Sequence, residues 1–578
     1  MNEYFTPIIL FFVLLLPLFL AAGLAFKASH PLALRLAPWA ALPALVLSLA
    51  PNFSVQLPWL LLGAEWGMLD DSGRLFLLFT ALLWWLSGLY AKVYFAKEKS
   101  GGRFFVYFLL AMSGNIGLIL ALDVASFFLF FALMSFSSYG LVVHERSTEA
   151  LHAGRIYIIL VVIGEIALFS AMTMATSAAG AYDFASIRSA VAVTESRDLI
   201  ILLALVGFGI KAGVLGLHVW LPLAHPVAPT PASAVLSGAM IKAGLLGWLR
   251  LLPMGDAVLV WWGETFMLLG VLAAFYAVGI GLTQRDPKTL LAYSSISQMG
   301  ILTMAVGVGL TRPGDYPSII AAISLYALHH ALNKGALFLG VGLIKSCTGP
   351  QLRKVWLFMW LPALALAGAP LTSGMLAKIL LKVQTVNAPE GWASLLKTLL
   401  PLSSVATTLL VGRFLYLLAK PHKQAAHSPP GGLGRPWALL VAGAAVLPWW
   451  LVADAQTFWT QKAFLGSLWP VLPGVLLTVA ALRWQTAKKS LIPTIPAGDV
   501  LIPVSRCLVP AFHLSRDLAT GKLPQWLAAW LTALGEFQAK QGWGRVLGEA
   551  ETGLNRWPVA MIILILIGLT AAMLAGNG

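Results

Sequence analysis

Apolar stretches of about twenty residues follow one another along almost the whole chain, and that pattern decides the fold class. Lipid offers no partner for a backbone N–H or C=O, so spans of this length must be helices that satisfy their own backbone. We read roughly sixteen of them, near residues 4–26, 31–50, 72–95, 103–121, 122–143, 154–178, 199–217, 231–253, 258–282, 288–310, 317–345, 355–381, 392–419, 436–453, 468–483 and 558–575. The tightest pair, 103–121 with 122–143, can be divided differently. The expected class is an all-α polytopic membrane protein. Composition agrees: 59% of the residues are hydrophobic and 11% charged, with a mean hydropathy of +0.84. No soluble core needs so much apolar surface. The first span is long, lacks a basic lead and has no convincing cleavage site, so it is expected to be a retained helix and not a signal peptide.

A net charge of +15 raises the question of nucleic acid, but the placement of the charges answers it. With the N-terminus outside, the inner loops carry Lys97, Lys99 and Arg103; Arg146 and Arg155; Arg285 and Lys288; Lys345, Arg353 and Lys354. The outer loops carry Glu65, Asp70 and Asp71; Asp183 and Glu195; Asp256; Asp315. That alternation follows the positive-inside rule, so the basic excess sets orientation in an inner (cell) membrane, bacterial or organellar. It also checks the helix count, because one missed span would invert every later loop. Two isolated cysteines, Cys347 and Cys507, carry no metal or disulfide pattern. There is no nucleotide loop, haem motif or iron–sulfur ligand set. No cofactor is expected, and any redox chemistry must come from a partner.

Charges also stand inside the spans. Lys211 interrupts the apolar run 199–217, Lys242 lies in the next, His329, His330 and Lys334 share a third, and Lys378 lies in a fourth. Ionisable groups at bilayer depth are costly and mark ion paths or proton relays by default. Two of these spans look broken. Gly209, Lys211 and Gly213 lead into a loop with Pro222, Pro226, Pro229 and Pro231; Gly368-Ala369-Pro370-Leu371-Thr372-Ser373-Gly374 precedes Lys378. Such breaks persist only where they are buried in protein or line a wet cavity, and a pair of them points to an inverted-repeat transporter with its site near the midplane. The plain alternative is that glycine merely permits close helix packing. Basic residues near helix ends, such as Lys345, Arg250 and Lys382, are expected to snorkel to the headgroups. His330 and Lys334 are four residues apart and share a helical face, which Tyr326 extends by a turn. His329 reads more readily as a packed neighbour, and His218 and His225 either join the path or bond backbone beside the proline loop.

The stretch Gly207-Phe208-Gly209-Ile210-Lys211-Ala212-Gly213, with His218-Val219-Trp220-Leu221-Pro222, Ala224-His225-Pro226 and Ser237-Gly238-Ala239-Met240-Ile241-Lys242, resembles the proton-conducting antiporter-like subunits. These include the large membrane-arm subunits of respiratory complex I, subunits A and D of the Mrp antiporters, and the membrane subunit of hydrogenase-4 and formate hydrogenlyase. The likeness continues in Asp286 to Gly300, in His330-Ala331-Leu332-Asn333-Lys334 and around Lys378, and covers residues 105 to 420. The loop from Ala224 to Met240 is most similar to the hydrogenase-4 branch, Lys378 to the Mrp and complex I branches.

The resemblance implies two inverted five-helix repeats and a mid-membrane row of ionisable residues: Lys211, Lys242, Lys334, His330 and Lys378, with Glu165 where relatives carry an acid near the first lysine. One departure matters. Ala132 occupies the position of the family's glutamate, so the usual ion pair to Lys211 is missing; either Glu165 replaces it or the first half-channel is altered. The implied organisation is N-terminal helices in 1–102, a first half-channel in 103–255, a second in 256–420 and accessory spans in 421–486. A less apolar segment, 487–556, has apolar residues at helical spacing around Trp526 and Trp530. It is expected to lie along the inner surface before an anchor in 557–578. The expected function is proton translocation within a multi-subunit membrane complex. A Na⁺/H⁺ antiport module, an energy-coupling subunit for inorganic-carbon uptake and a scaffold without transport remain as alternatives.

Overall fold

A computed structural model describes residues 5–420, 430–453, 455–488 and 495–498. Residues 1–58 and 63–497 make one contact unit; the second comprises 59–62 and the tail 498–578, most of it outside the described residues. The first unit is a helical bundle. Its helices are α1 (Phe5–Gly23), α2 (His30–Leu47), α3 (Asp71–Tyr94), α4 (Gly101–Leu120), α5 (Val124–Val142) and α6 (Thr148–Ala179). Then come α7 (Phe184–Val193), α8 (Arg197–Ala212), α9 (Trp220–Val227), α10 (Thr230–Leu251), α11 (Val260–Thr283), α12 (Pro287–Thr311) and α13 (Tyr316–Lys345). The series ends with α14 (Gly349–Phe358), α15 (Trp360–Ala367), α16 (Ser373–Gln384), α17 (Trp392–Ala419), α18 (Pro430–Trp450) and α19 (Gln461–Lys488).

Ten helices among the described residues are long and apolar enough to cross a membrane. The sequence reading of sixteen spans also counted α1 and α18, the polar-studded α13, and the two interrupted spans as wholes. The expected surface segment 487–556 and the anchor 557–578 lie outside the described residues except at 487–488 and 495–498. One element departs from an all-helical chain. Phe53–Leu57 (β1) and Ala64–Met68 (β2) pair antiparallel, Val55 opposite Trp66. The pair is tied to the α4–α5 link, where the Glu65 N–H donates to Asp123 (2.9 Å) and the Trp66 indole to Ser126 (2.8 Å).

Helix starts follow local chemistry. Asp70, Asp123, Ser147, Asp183 and Asp286 each accept from a backbone N–H three residues on, at 2.7 to 3.1 Å, which satisfies an otherwise orphaned donor. Helix pairing rests on small residues. A Cβ placed on Gly270 would run into the Gly300 carbonyl oxygen, and one on Gly263 into that of Gly307, so α11 and α12 touch backbone to backbone.

Both expected breaks are present and have the same chemistry. α8 ends at Gly213 with φ 79°, and the N–H groups of Gly213 and Val214 both donate to the Gly209 carbonyl at 2.8 and 2.9 Å. α15 ends at Gly368 with φ 84°, whose N–H, with that of Ala369, reaches the Leu364 carbonyl at 3.0 Å. A left-handed glycine closes each half-helix and satisfies its last carbonyls. In the second break Leu371 also has a positive φ, 62°, a strained backbone that persists only where the surroundings hold it.

Candidate ion pathway

Lys211 lies two residues before the Gly213 break and is buried. Its ammonium donates to the Tyr157 hydroxyl at 3.1 Å, and Tyr157 in turn donates to the Ser135 carbonyl at 2.8 Å. Three ring faces surround the charge: Phe131 at 5.8 Å, Tyr157 at 5.4 Å and Trp220 at 5.9 Å from the ammonium nitrogen. Aromatic faces attract a desolvated cation. Phe131 neighbours Ala132, so a ring from α5 supplies part of what a carboxylate would. Glu165 is buried on α6 and within electrostatic range of Lys211, but no ion pair joins them among the described residues. The Glu165 Oε2 atom has no hydrogen-bond partner there.

Lys242 occupies α10 just after a π-helical turn, Leu236–Met240, a local widening frequent at functional sites. Its ammonium reaches back to the Ser237 carbonyl at 2.6 Å, while the Ser237 hydroxyl meets that of Ser295 at 2.7 Å. Lys334 donates to the Leu291 carbonyl on α12 at 2.9 Å. His330, one turn before it, has neither ring nitrogen bonded among the described residues. Lys242 lies within electrostatic range of Lys334, His330 and His329. The side chains on α10 and α13 therefore form one group. Both helices are almost wholly enclosed by protein along this stretch.

From there the polar side chains lead to the second break. The His329 Nδ1 atom meets the Ser373 hydroxyl at 2.9 Å and the Asn333 amide at 3.1 Å, which ties α13 to the first residue of α16. Lys378, a turn further on, is half-buried. It donates to the Ala367 carbonyl at 2.8 Å and the Ser404 hydroxyl at 3.0 Å. Gly368 leaves room for this side chain: an added Cβ would meet the Lys378 Cδ at 2.7 Å. Tyr326 packs its ring edge-on against His329 at 5.9 Å, and its hydroxyl donates to Gln298 at 2.6 Å, which donates to Thr407 at 3.1 Å.

The two remaining histidines divide. His218 sits in the first break, where its Nδ1 accepts from the Gly216 N–H at 3.2 Å beside the Tyr276 ring. His225 stacks on Phe338 at 4.6 Å with neither ring nitrogen bonded among the described residues. It lies within electrostatic range of Lys242, Lys334 and Lys288. Lys288 was assigned to a loop by sequence; the structure buries it, donating to the Ala228 carbonyl at 2.6 Å. Its position just after the Asp286-Pro287 helix start was the available signal. The aromatic surround of Lys211 left no signal at all, because three rings from three distant helices converge only on folding.

Two cavities among the described residues bear on these side chains. One, of about 190 Å³, is lined by Tyr94, Glu145, Pro229, Lys288 and Lys345, at the face where α3 and α13 end. The other, of about 540 Å³, is lined by Tyr326, Gly368, Lys378, Lys382, Ser404 and Lys462 among others. α16 ends at the face where α12 ends, since Arg312 donates to the Gln384 carbonyl at 3.4 Å. The second cavity therefore runs from Lys378 toward the opposite face from the first.

Residues 121–402 match the family described as NADH:quinone oxidoreductase/Mrp antiporter, TM. Hydrogenase-4 component B of Escherichia coli is 33% identical over 288 residues, 48% of this chain and 43% of its own length. A Na⁺/H⁺ antiporter subunit A1 of Staphylococcus aureus is 31% identical over 334 residues, 54% of this chain and 41% of its own length. The chain thus spans less than half the length of these two relatives. In fold it is similar to the Mrp complex of Dietzia sp., with a TM-score of 0.71 and 22% identity over 90% of this chain and 62% of that one.

Proposed function

We propose that this chain is the proton-translocating subunit of a multi-subunit membrane complex. It passes protons along Glu165, Lys211, Lys242, His330, Lys334 and Lys378, with His329 as the bridge to the last. The observation that carries this is the linked group of buried side chains that runs from Lys242 through His330, Lys334 and His329 to Lys378 at the second helix break, with cavities toward opposite faces nearby. The lysine ammoniums in it rest on carbonyl and hydroxyl groups. Burial and neighbouring charge then decide how often each holds its proton, and a change at one site alters the next. The smaller cavity lies beside Lys288 and His225, which makes it the natural entrance from the inner face under the orientation set by the loop charges. The larger one, ending on Lys378, is the exit to the outer face.

The test is proton uptake into vesicles carrying the assembled complex. Lys242→Ala should abolish it while assembly persists, because a serial relay fails at a missing link. Near-normal uptake in an assembled Lys242→Ala complex would remove the row from the mechanism and favour a scaffold.

Sodium–proton antiport is the second reading, supported by the similarity to subunits named as Na⁺/H⁺ antiporters. It predicts that an imposed sodium gradient acidifies or alkalinises the vesicle lumen. Under either reading the partners are other membrane subunits, and the site is a bacterial or organellar inner membrane with the N-terminus outside.

A further inference from the structure

The cavity that ends on Lys378 has an unbalanced wall. Three of its lining residues are lysines, Lys378 at the base with Lys382 and Lys462 further out, and among the described residues none is aspartate or glutamate. The Lys378 ammonium is bonded to a carbonyl and a hydroxyl, both neutral. Lys382 and Lys462 are exposed and form no ion pair among the described residues. A charge at bilayer depth is normally matched by an opposite one, and no described residue in this wall supplies it. Met375 puts the first turn of α16 on the same cavity. No side chain caps that turn, so its N–H groups add positive potential there. The volume of about 540 Å³ exceeds many times the ~30 Å³ share of one water.

We propose that this cavity binds a small monovalent anion. The anion pairs with the Lys378 ammonium and is drawn in by Lys382 and Lys462 at the rim. A proton arriving on Lys378 then meets a counter-ion instead of an unpaired charge, and cations such as sodium are repelled from the exit by its three lysines. Chloride and bicarbonate share this chemistry. The binding claim stands independently of proton transport; only its consequence at the exit rests on the proposed function.

Chloride-35 line broadening on the full-length chain, purified with its bound subunits, reads the site directly. Compared with the wild type, Lys382→Ala/Lys462→Ala should weaken the specific broadening about fivefold, the effect of two exposed charges. Lys378→Met should remove it, whereas the remote pair Lys27→Ala/Arg35→Ala should leave it intact. Both rim side chains are exposed, so folding is not at issue. Added bicarbonate that narrows the line makes bicarbonate an occupant of the same site; no narrowing restricts the site to chloride. Identical broadening in the wild type, the rim variant and Lys378→Met would overturn the proposal even in a complex that pumps normally. A complex that fails to pump but shows the Lys378-dependent broadening would overturn the function and leave the anion site standing.

Discussion

Tyr157→Phe removes one oxygen from the surround of Lys211 and keeps the ring. Among the described residues the hydroxyl is what the ammonium donates to, at 3.1 Å; the cation–ring distances of 5.4 to 5.9 Å stay as they are. A hydrogen bond to a charged group contributes about 1.5–3 kcal/mol, so the ammonium form of Lys211 should become about ten- to a hundredfold less populated relative to the neutral amine. The Ser135 carbonyl loses its donor as well, at a cost of about 1 kcal/mol in fold stability. Proton uptake by vesicles, measured across pH, should show a lower rate and an optimum displaced toward acid, since more external protons are needed to refill Lys211. Tyr157→Leu removes the ring too and should lower the rate further, by the ~0.5–2 kcal/mol of a cation–ring contact. If Tyr157→Phe transported with wild-type rate and pH profile while Lys211→Ala was inactive, the surround would not be what holds the charge.

Glu165→Gln should lower activity and shift its pH optimum, because Lys211 loses its one nearby carboxylate; an unchanged profile would separate Glu165 from the row. Lys378→Ala should stop vesicle proton uptake as Lys242→Ala does, with Lys334→Ala intermediate where water bypasses it, and intact transport in both of the first two would refute the relay. His144 sits in the α5–α6 turn between Phe95 and Phe104 rings, and burial with Arg103 and Arg146 nearby pushes it down from 6.5 to about 4. The unfolded chain therefore binds the extra proton first as pH falls. Stability should drop by about 2–3 kcal/mol between pH 6.5 and 4, and thermal unfolding of His144→Phe should lose that part of the slope. Truncation near residue 490 should yield a smaller complex on native gels with coupling per assembled unit retained; normal assembly with lost transport would refute a bracing role for the tail.

The spans and their breaks were legible because lipid imposes a rule on every residue: a lysine or a Gly-Pro pair there is conspicuous. The same rule hid part of the answer. Within α10 and α12 the most apolar stretches are completely enclosed by protein, yet their mean hydropathies, 1.4 and 1.3, fall below the 2.3 of the half-enclosed α6. Helices that never meet lipid are free to carry Lys242, Lys288 and a run of serines, and hydropathy weighs these as faults. Lys288 was misassigned for that reason, its place at a helix start resembling a loop charge. The outer aspartates taken as topology markers are also helix caps, at Asp70 and Asp183, so one residue type served two demands that sequence could not separate. The expected partner of Lys211 was sought among carboxylates, whereas its nearest contacts are rings and a phenol. The hairpin of β1 and β2 was missed because its alternation is only five residues long in each strand.

The backbone contact between α11 and α12 carries a mechanical consequence. Two helices locked at Gly263–Gly307 and Gly270–Gly300 cannot slide or rotate against each other without driving carbonyl oxygens into α-carbons, so they behave as one stiff spar. α12 supplies the Leu291 carbonyl to Lys334 and the Ser295 hydroxyl to Ser237. The middle of the proposed path is thus measured from a fixed ruler, and any stroke that opened one face and closed the other would be taken up in the half-helices that end at Gly213 and Gly368.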